Sequence, residues 1–287
     1  MLKPDCFAGE MSLEKANQFW NVQIESIVRG HLDKKDDKKS RHGRGFDPAV
    51  RRTIKFRDTG DHLLNDADYI LRERTDIDAD GNDASKPELT LKLRTTDLFV
   101  AADTPLPGTQ KGADTEFEED IAPLQVSVAR PGSRCVSVAE PRSIRSRFSV
   151  STTQSVPDGL AIDRLGDVLE LYPTLLNNLM PTTIDEIRSD AALRSGPTIS
   201  ELVFKDAEVD LGEVDARFAL TLWYFDAETA APRVAEISFK CKVKDGYLPR
   251  GAAARALKLF IGMQDDLGDW VNFEEQSKTA LALPQRG

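Results

Sequence analysis

An α+β fold, built as an antiparallel, tunnel-like β-barrel with helices packed outside, is what this sequence predicts. Three observations carry the prediction. Several segments alternate apolar and polar residues with period two, the mark of sheet with one packed face and one wet face. Others repeat apolar residues every three or four positions, the mark of a helix laid on a core. Finally, the polar positions of the strands are rich in Lys and Arg, although the chain is acidic, with 38 basic against 48 acidic residues and a net charge of -10.

The elements follow in chain order. Leu13, Ala16, Trp20, Ile24 and Ile27 form one stripe at helical spacing, with Ser12 placed to cap its start and Gly30 its end. Residues 31–46 carry mixed charge with almost nothing to bury and read as a mobile loop. From residue 52 the period becomes two: Ile54 and Phe56 alternate with Lys55 and Arg57. Residues 69–74 place Arg72 and Arg74 on one face. Residues 88–94 are the clearest strand, with Leu89, Leu91 and Leu93 on one side and Lys92 and Arg94 on the other. Later strands are expected at 124–129, 143–150, 202–209, 217–225 and 234–244, and a Pro/Gly-rich loop at 101–115. Short helical pieces broken by Pro173 and Pro181 fill 158–194, and a last helix covers 251–272. The organisation is an N-terminal helix and charged loop (1–50), a tunnel domain (51–273) with a helical insertion at 158–194, and a loose tail (274–287).

Composition narrows the class. At 287 residues, 40% hydrophobic and 30% charged, the chain has the balance of a soluble globular protein. No apolar run approaches the roughly 20 residues that span a bilayer, and the N-terminus lacks the apolar stretch of a secretory signal. A cytoplasmic protein with no membrane partner is expected. Cys6, Cys135 and Cys241 lie too far apart in sequence for a zinc or redox motif. An acidic chain is also not expected to bind nucleic acid.

The polar strand faces point toward a small anionic partner. Twelve cations occupy them: Lys55, Arg57, Arg72, Arg74, Lys92, Arg94, Arg145, Arg147, Lys205, Arg217, Lys240 and Lys242. Glu88, Glu116, Glu118, Glu208 and Glu236 are threaded among them. Facing inward in a curled sheet, they would line a basic tunnel. Arginine forks there would grip phosphate oxygens, and carboxylates would hold Mg2+ or Mn2+ bridging the same phosphates. Facing outward, they would form an ordinary solvated surface that also protects strand edges. Periodicity alone leaves both open.

Motif order adds to this. FRDTGD at 56–61, LRER at 71–74 and LTLK at 89–92 follow one another, then the acidic run EFEE at 116–119, RSR at 145–147 and VAEISF at 234–239. This series resembles the CYTH domain of the triphosphate tunnel metalloenzymes over roughly residues 55–245. The resemblance implies divalent-metal-dependent phosphohydrolase activity on a triphosphate or short polyphosphate. It implies phosphate binding by Lys55, Arg72, Arg74, Lys92, Arg94, Arg145 and Arg147, metal binding by Glu116, Glu118 and Glu236, and catalytic roles for Glu236 and Lys240. Two departures stand out: the family's N-terminal ExExK strand is missing, and Ser238 replaces the middle carboxylate of the closing strand. The alternative is therefore a non-catalytic protein of the same fold that binds phosphorylated metabolites or polyphosphate.

Other motifs have simpler explanations. DIDADGN at 76–82 opens like a calcium loop, but Pro87 stands where the bidentate Glu belongs and strands flank it, so a hairpin turn is expected. PGTQKG at 107–112 lacks the spacing of a phosphate-binding Walker loop, and no GxSxG motif occurs. His62 lies in a turn, leaving a Ser or Cys triad without support.

Overall fold

A computed structural model describes residues 1–32, 41, 43–123, 125–130, 133–138, 144–178, 189–225, 231–243, 246–272 and 278–287. In chain order these form α1 (Leu13–Phe19), a π-helical turn (Trp20–Ile24), α2 (Glu25–His31), β1 (Val50–Thr59), α3 (Leu63–Asp66), β2 (Tyr69–Ile77) and β3 (Glu88–Thr95). Then come α4 (Leu98–Asp103), β4 (Asp114–Pro123), β5 (Gln125–Arg130), β6 (Ser133–Val138), β7 (Ile144–Ser155), α5 (Leu165–Leu171) and α6 (Leu175–Asn178). The chain closes with β8 (Leu193–Ser195), β9 (Ile199–Asp210), β10 (Asp215–Tyr224), β11 (Val234–Cys241), α7 (Arg250–Asp266) and α8 (Lys278–Ala282). It divides into two compact units: residues 1–51, 123–143 and 200–275, and residues 52–122, 144–199 and 276–287.

In the first unit β9, β10 and β11 are neighbours, paired antiparallel, with a register shift between Phe218 and Ala219. Phe204, Val209, Phe218, Leu220 and Leu222 turn one face of these strands onto Trp20, Ile24 and Val28 of the N-terminal helix and Leu259 and Met263 of α7. The expected helical stripe is thus the core contact, and Ser12 accepts the Lys15 N–H as its cap. The loop expected at 31–46 divides: residues 33–40 and 42 lie outside the described residues, whereas its last part is strand-like. Gly43 N–H donates to Glu208 O at 2.8 Å and Asp47 N–H to Lys205 O at 2.8 Å. Buried Phe46 exchanges both backbone hydrogen bonds with the Asn17 side chain and packs its ring on Trp20. An aromatic anchor inside a charged stretch overrides the composition around it. β5 and β6 pair with each other, β6 being a strand the alternation did not show.

The second unit carries the order β1-β2-β3-β7-β4, with β8 on β1. The β1–β8, β2–β3 and β3–β7 ladders are antiparallel. Leu71, Leu89, Leu91 and Leu93 are buried on one face against Leu165, Val168, Leu171 and Leu175 of the short helices. Helices therefore cover the leucine face and leave the basic face clear of them. β4 begins inside the stretch read as a loop at 101–115. The antiparallel α+β class matches the expectation. The closed barrel is not formed by the described ladders: in neither unit do the first and last strands of the run pair with each other. The tail expected to be loose carries α8, and His62 Nε2 donates to Pro284 O at 2.7 Å.

Tyr172 locks the helical cover to the sheet. Its buried hydroxyl shares its proton between Leu89 O (2.7 Å) and Thr152 O (3.1 Å). Burial pushes its pKa up to about 12, outweighing the opposing influence of the Gln154 side chain and the Leu91 backbone. The native state thus favours the neutral phenol, and its contribution, whole below the ordinary value of 10.0, is lost as pH rises to about 12. Tyr172→Phe should cost about 1 kcal/mol in urea denaturation at neutral pH and should flatten the fall in stability over that alkaline window. An unchanged alkaline slope would show that another group is responsible.

Candidate phosphate-binding face

The pairing registers place the predicted cations of the second unit in rows. Residues paired across neighbouring strands share a face, and alternate residues return to it every 6.6 Å or so. Arg74, Glu88 and Ser155 make the first row; Arg72, Thr90 and Thr153 the second; Ile70, Lys92 and Ser151 the third. Arg94 and Ser149 form the fourth, and Arg147 and Arg145 continue the same side of β7 beyond it. The cations form a diagonal stripe, from Arg72 on β2 through Lys92 and Arg94 on β3 to Arg147 and Arg145 on β7. The leucines that alternate with them anchor the opposite face, so core packing fixes which way the cations point.

Carboxylates partly neutralise this stripe. Glu88 Oε2 accepts from Arg74 Nη2 at 2.6 Å. Lys92 Nζ lies 3.2 Å from Glu118 and 3.7 Å from Asp120, which also accepts from Arg94 Nη2 at 2.8 Å. Arg72 Nη2 reaches Thr90 Oγ1 at 3.4 Å, and that hydroxyl meets Thr153 Oγ1 at 2.8 Å. Asp120 is a member that sequence reasoning missed; its signal was the period-two spacing from Glu116 and Glu118 along β4.

At the fourth row the balance changes. Arg145 and Arg147 are exposed and form no ion pair among the described residues. Desolvation first, then the Arg147 and Arg94 guanidiniums, lower the pKa of Arg145, the signature of cations crowded together. Arg94 Nε and Ser149 Oγ, on cross-strand partners, are both buried without a hydrogen-bond partner among the described residues. Buried donors are otherwise almost always satisfied, so the face around Arg94 is short of acceptors.

Several of the predicted residues are not on this stripe. Arg57 turns its Nε and Nη2 to Glu73 Oε2 at 3.1 and 2.8 Å and its Nη1 to Ile162 O at 2.8 Å. Glu73 is the register partner of Leu89, so Arg57 belongs to the leucine face. Lys55, two residues earlier on β1, shares that side by alternation and does not join Arg72. Glu236 and Lys240 are on β11 of the first unit, paired in register with Thr221 and Arg217; Glu236 is half-buried and Lys240 exposed. In that unit Lys205 and Arg217 sit on neighbouring strands, with Arg217 near Asp206 and Glu208 at 3.8 and 3.7 Å.

Asp58 and Thr59, part of the motif series, do a structural job. The Asp58 carboxylate is buried and accepts the backbone N–H groups of Thr59 (2.8 Å), Leu64 (3.0 Å) and Asn65 (2.9 Å). It thereby clamps the turn that returns the chain from β1 to β2. Burial raises its pKa in spite of these donors and nearby His62. The metal expectation meets a limit: among the described residues no group of three His, Cys, Asp or Glu side chains is gathered to hold an ion.

No family model and no curated protein matches the sequence. The chain is similar to an adenylyl cyclase from Hippeastrum described as having a dominant triphosphatase activity, at 11% identity and a TM-score of 0.37, over 90% of this chain and 88% of that one.

The clamp is open to direct measurement. Asp58→Ala should cost about 2–3 kcal/mol in chemical denaturation, since it strands three buried donors. Asp58→Asn, which keeps the oxygen facing Thr59 and Leu64, should lose less than half of that. Equal losses would show that charge, not acceptor geometry, holds the turn.

Proposed function

We propose that the polar face of β2, β3 and β7 binds the phosphates of a triphosphate or short polyphosphate, and that the protein is a divalent-metal-dependent phosphohydrolase acting there. The observation that carries this reading is the cation stripe Arg72, Lys92, Arg94, Arg147 and Arg145, arranged in register on adjacent strands, with Arg145 and Arg147 exposed and without an ion pair among the described residues. Guanidinium forks match phosphate oxygens bidentately, and lysine adds a point charge. A phosphate chain laid on the stripe would relieve the repulsion among Arg94, Arg145 and Arg147. Arg74 is held by Glu88, which competes with phosphate for it.

The metal requirement is modest in such a site. Mg2+ ordinarily keeps several waters and uses one or two carboxylates together with substrate phosphates, rather than a cage made by protein alone. Glu116 and Glu118 share one face of β4 by alternation and suit that role. A bound ion would offset phosphate charge and lower the pKa of a water. Lys92 and Arg94 would hold the phosphates while charge shifts to the leaving oxygen.

A second reading, binding without turnover, is favoured by the engagement of Glu118 and Asp120 with Lys92 and Arg94 and by Ser238 in place of a carboxylate. One experiment separates the two: phosphate release from tripolyphosphate, ATP and thiamine triphosphate with Mg2+ or Mn2+, against an EDTA control, with melting followed in the same solutions. EDTA-sensitive release is expected. Arg72→Ala and Lys92→Ala should each weaken tripolyphosphate affinity roughly tenfold, about 1.4 kcal/mol, while the apo protein stays folded. Stabilisation without release would establish the binding protein, and neither effect would remove the phosphate reading.

A further inference from the structure

The two ends of the stripe are electrostatically unlike. The β2–β3 hairpin, residues 76–88, holds five carboxylates (Asp76, Asp78, Asp80, Asp83 and Glu88) against one cation, Lys86. Two of the five lie on the phosphate-binding face, each held by an arginine: Glu88 by Arg74, and Asp76 by Arg52 Nε at 2.9 Å. Lys86 is turned to Asp158 at 2.7 Å. Asp78 is tied up within the turn, its Oδ1 accepting from the Asp80 and Asn82 backbone. At the opposite end Arg145 and Arg147 have no ion pair among the described residues. Between these ends lie three rows, about 13 Å from the Arg72 row to the Arg94 row.

We propose that the acidic β2–β3 hairpin closes one end of the phosphate-binding face, so that the site takes phosphate chains by their ends and rejects the interior of long ones. The inference rests on the phosphate-binding reading above. A short triphosphate fits the cation rows without passing Glu88. A longer chain binds with its terminus toward Lys92 and Arg72 and its remainder leaving past Arg145 and Arg147. An internal stretch must instead continue past the hairpin, whose five carboxylates outnumber Arg52, Arg74 and Lys86, so that like charge repels it. Any hydrolysis on this face is then confined to chain termini: water adds to the terminal phosphorus, the P–O bond to the next phosphate breaks, and orthophosphate and a chain one unit shorter leave. The calcium-like spacing of the hairpin acquires a use that needs no calcium.

Competition against fluorescent tripolyphosphate tests this at low salt, using unlabelled tripolyphosphate, long-chain polyphosphate, and long-chain polyphosphate blocked at both ends as neutral-capped amides. With the native protein, end-blocked chains should compete at least tenfold less well than free-ended chains at equal chain concentration. Glu88→Gln should narrow that gap to about twofold and, by freeing Arg74, raise rather than lower tripolyphosphate affinity. Should Glu88→Gln fail to fold, the exposed pair Asp80→Asn and Asp83→Asn should move the ratio in the same direction by a smaller factor. High salt should shrink the discrimination in the native protein. End-blocked chains that compete as well as free ones, or a ratio untouched by both variants, would overturn the end-selection while leaving phosphate binding intact. Absence of any tripolyphosphate binding would bring down the phosphate reading itself, and this inference with it.

Discussion

The second unit depends on a single coupling: the burial of Leu71, Leu89, Leu91 and Leu93 dictates where Arg72, Lys92 and Arg94 point. A strand offers its side chains to alternate faces, and a slip of one residue would exchange the leucines for the cations. Burial of each leucine is worth about 2 kcal/mol, and Tyr172 ties the helical cover to the same strands through its hydroxyl. The apolar core thus sets up a cationic surface that would not assemble by itself, since like charges on adjacent strands repel.

That repulsion is managed unevenly, and the unevenness gives the face its direction. Near the hairpin each arginine has a carboxylate: Arg52 with Asp76, Arg74 with Glu88. In the middle Lys92 and Arg94 share Asp120. At the far end Arg145 and Arg147 stand near Arg94 without such neutralisation among the described residues. The structural salt bridges and the proposed ligand-binding stripe draw on the same residues, graded along the strand. Arg57 marks the contrast, because its bonds to Glu73 and Ile162 O make it an anchor of the opposite face.

Motif order picked out strands that pair with one another but did not show what each residue touches. In FRDTGD at 56–61 the working part is the Asp58 carboxylate, which accepts three backbone donors and shapes a turn. LRER and LTLK do supply cations to one face, yet the second arginine, Arg74, is engaged by Glu88. A short motif records which residue types stand at which spacing. It does not record which of them meet.

Local pattern alone determined much of this protein. Alternation in β2 and β3, the leucine-to-helix packing and the N-terminal helical stripe are all legible because they depend on the period of one segment and on the cost of exposing apolar surface. Phe46 anchoring a charged loop, β6 and the start of β4 were not legible, because their partners lie far away in sequence. The same holds for the site. Arg72, Lys92 and Arg94 could be grouped by spacing, but the assignment of Lys55 to the other face, of Glu236 and Lys240 to the other unit, and of Asp120 to Arg94 was decided only by tertiary structure. Strand pairing is a long-range choice: which segments become neighbours, and in which register, is set by the packing of the whole unit and not by any one stretch of it.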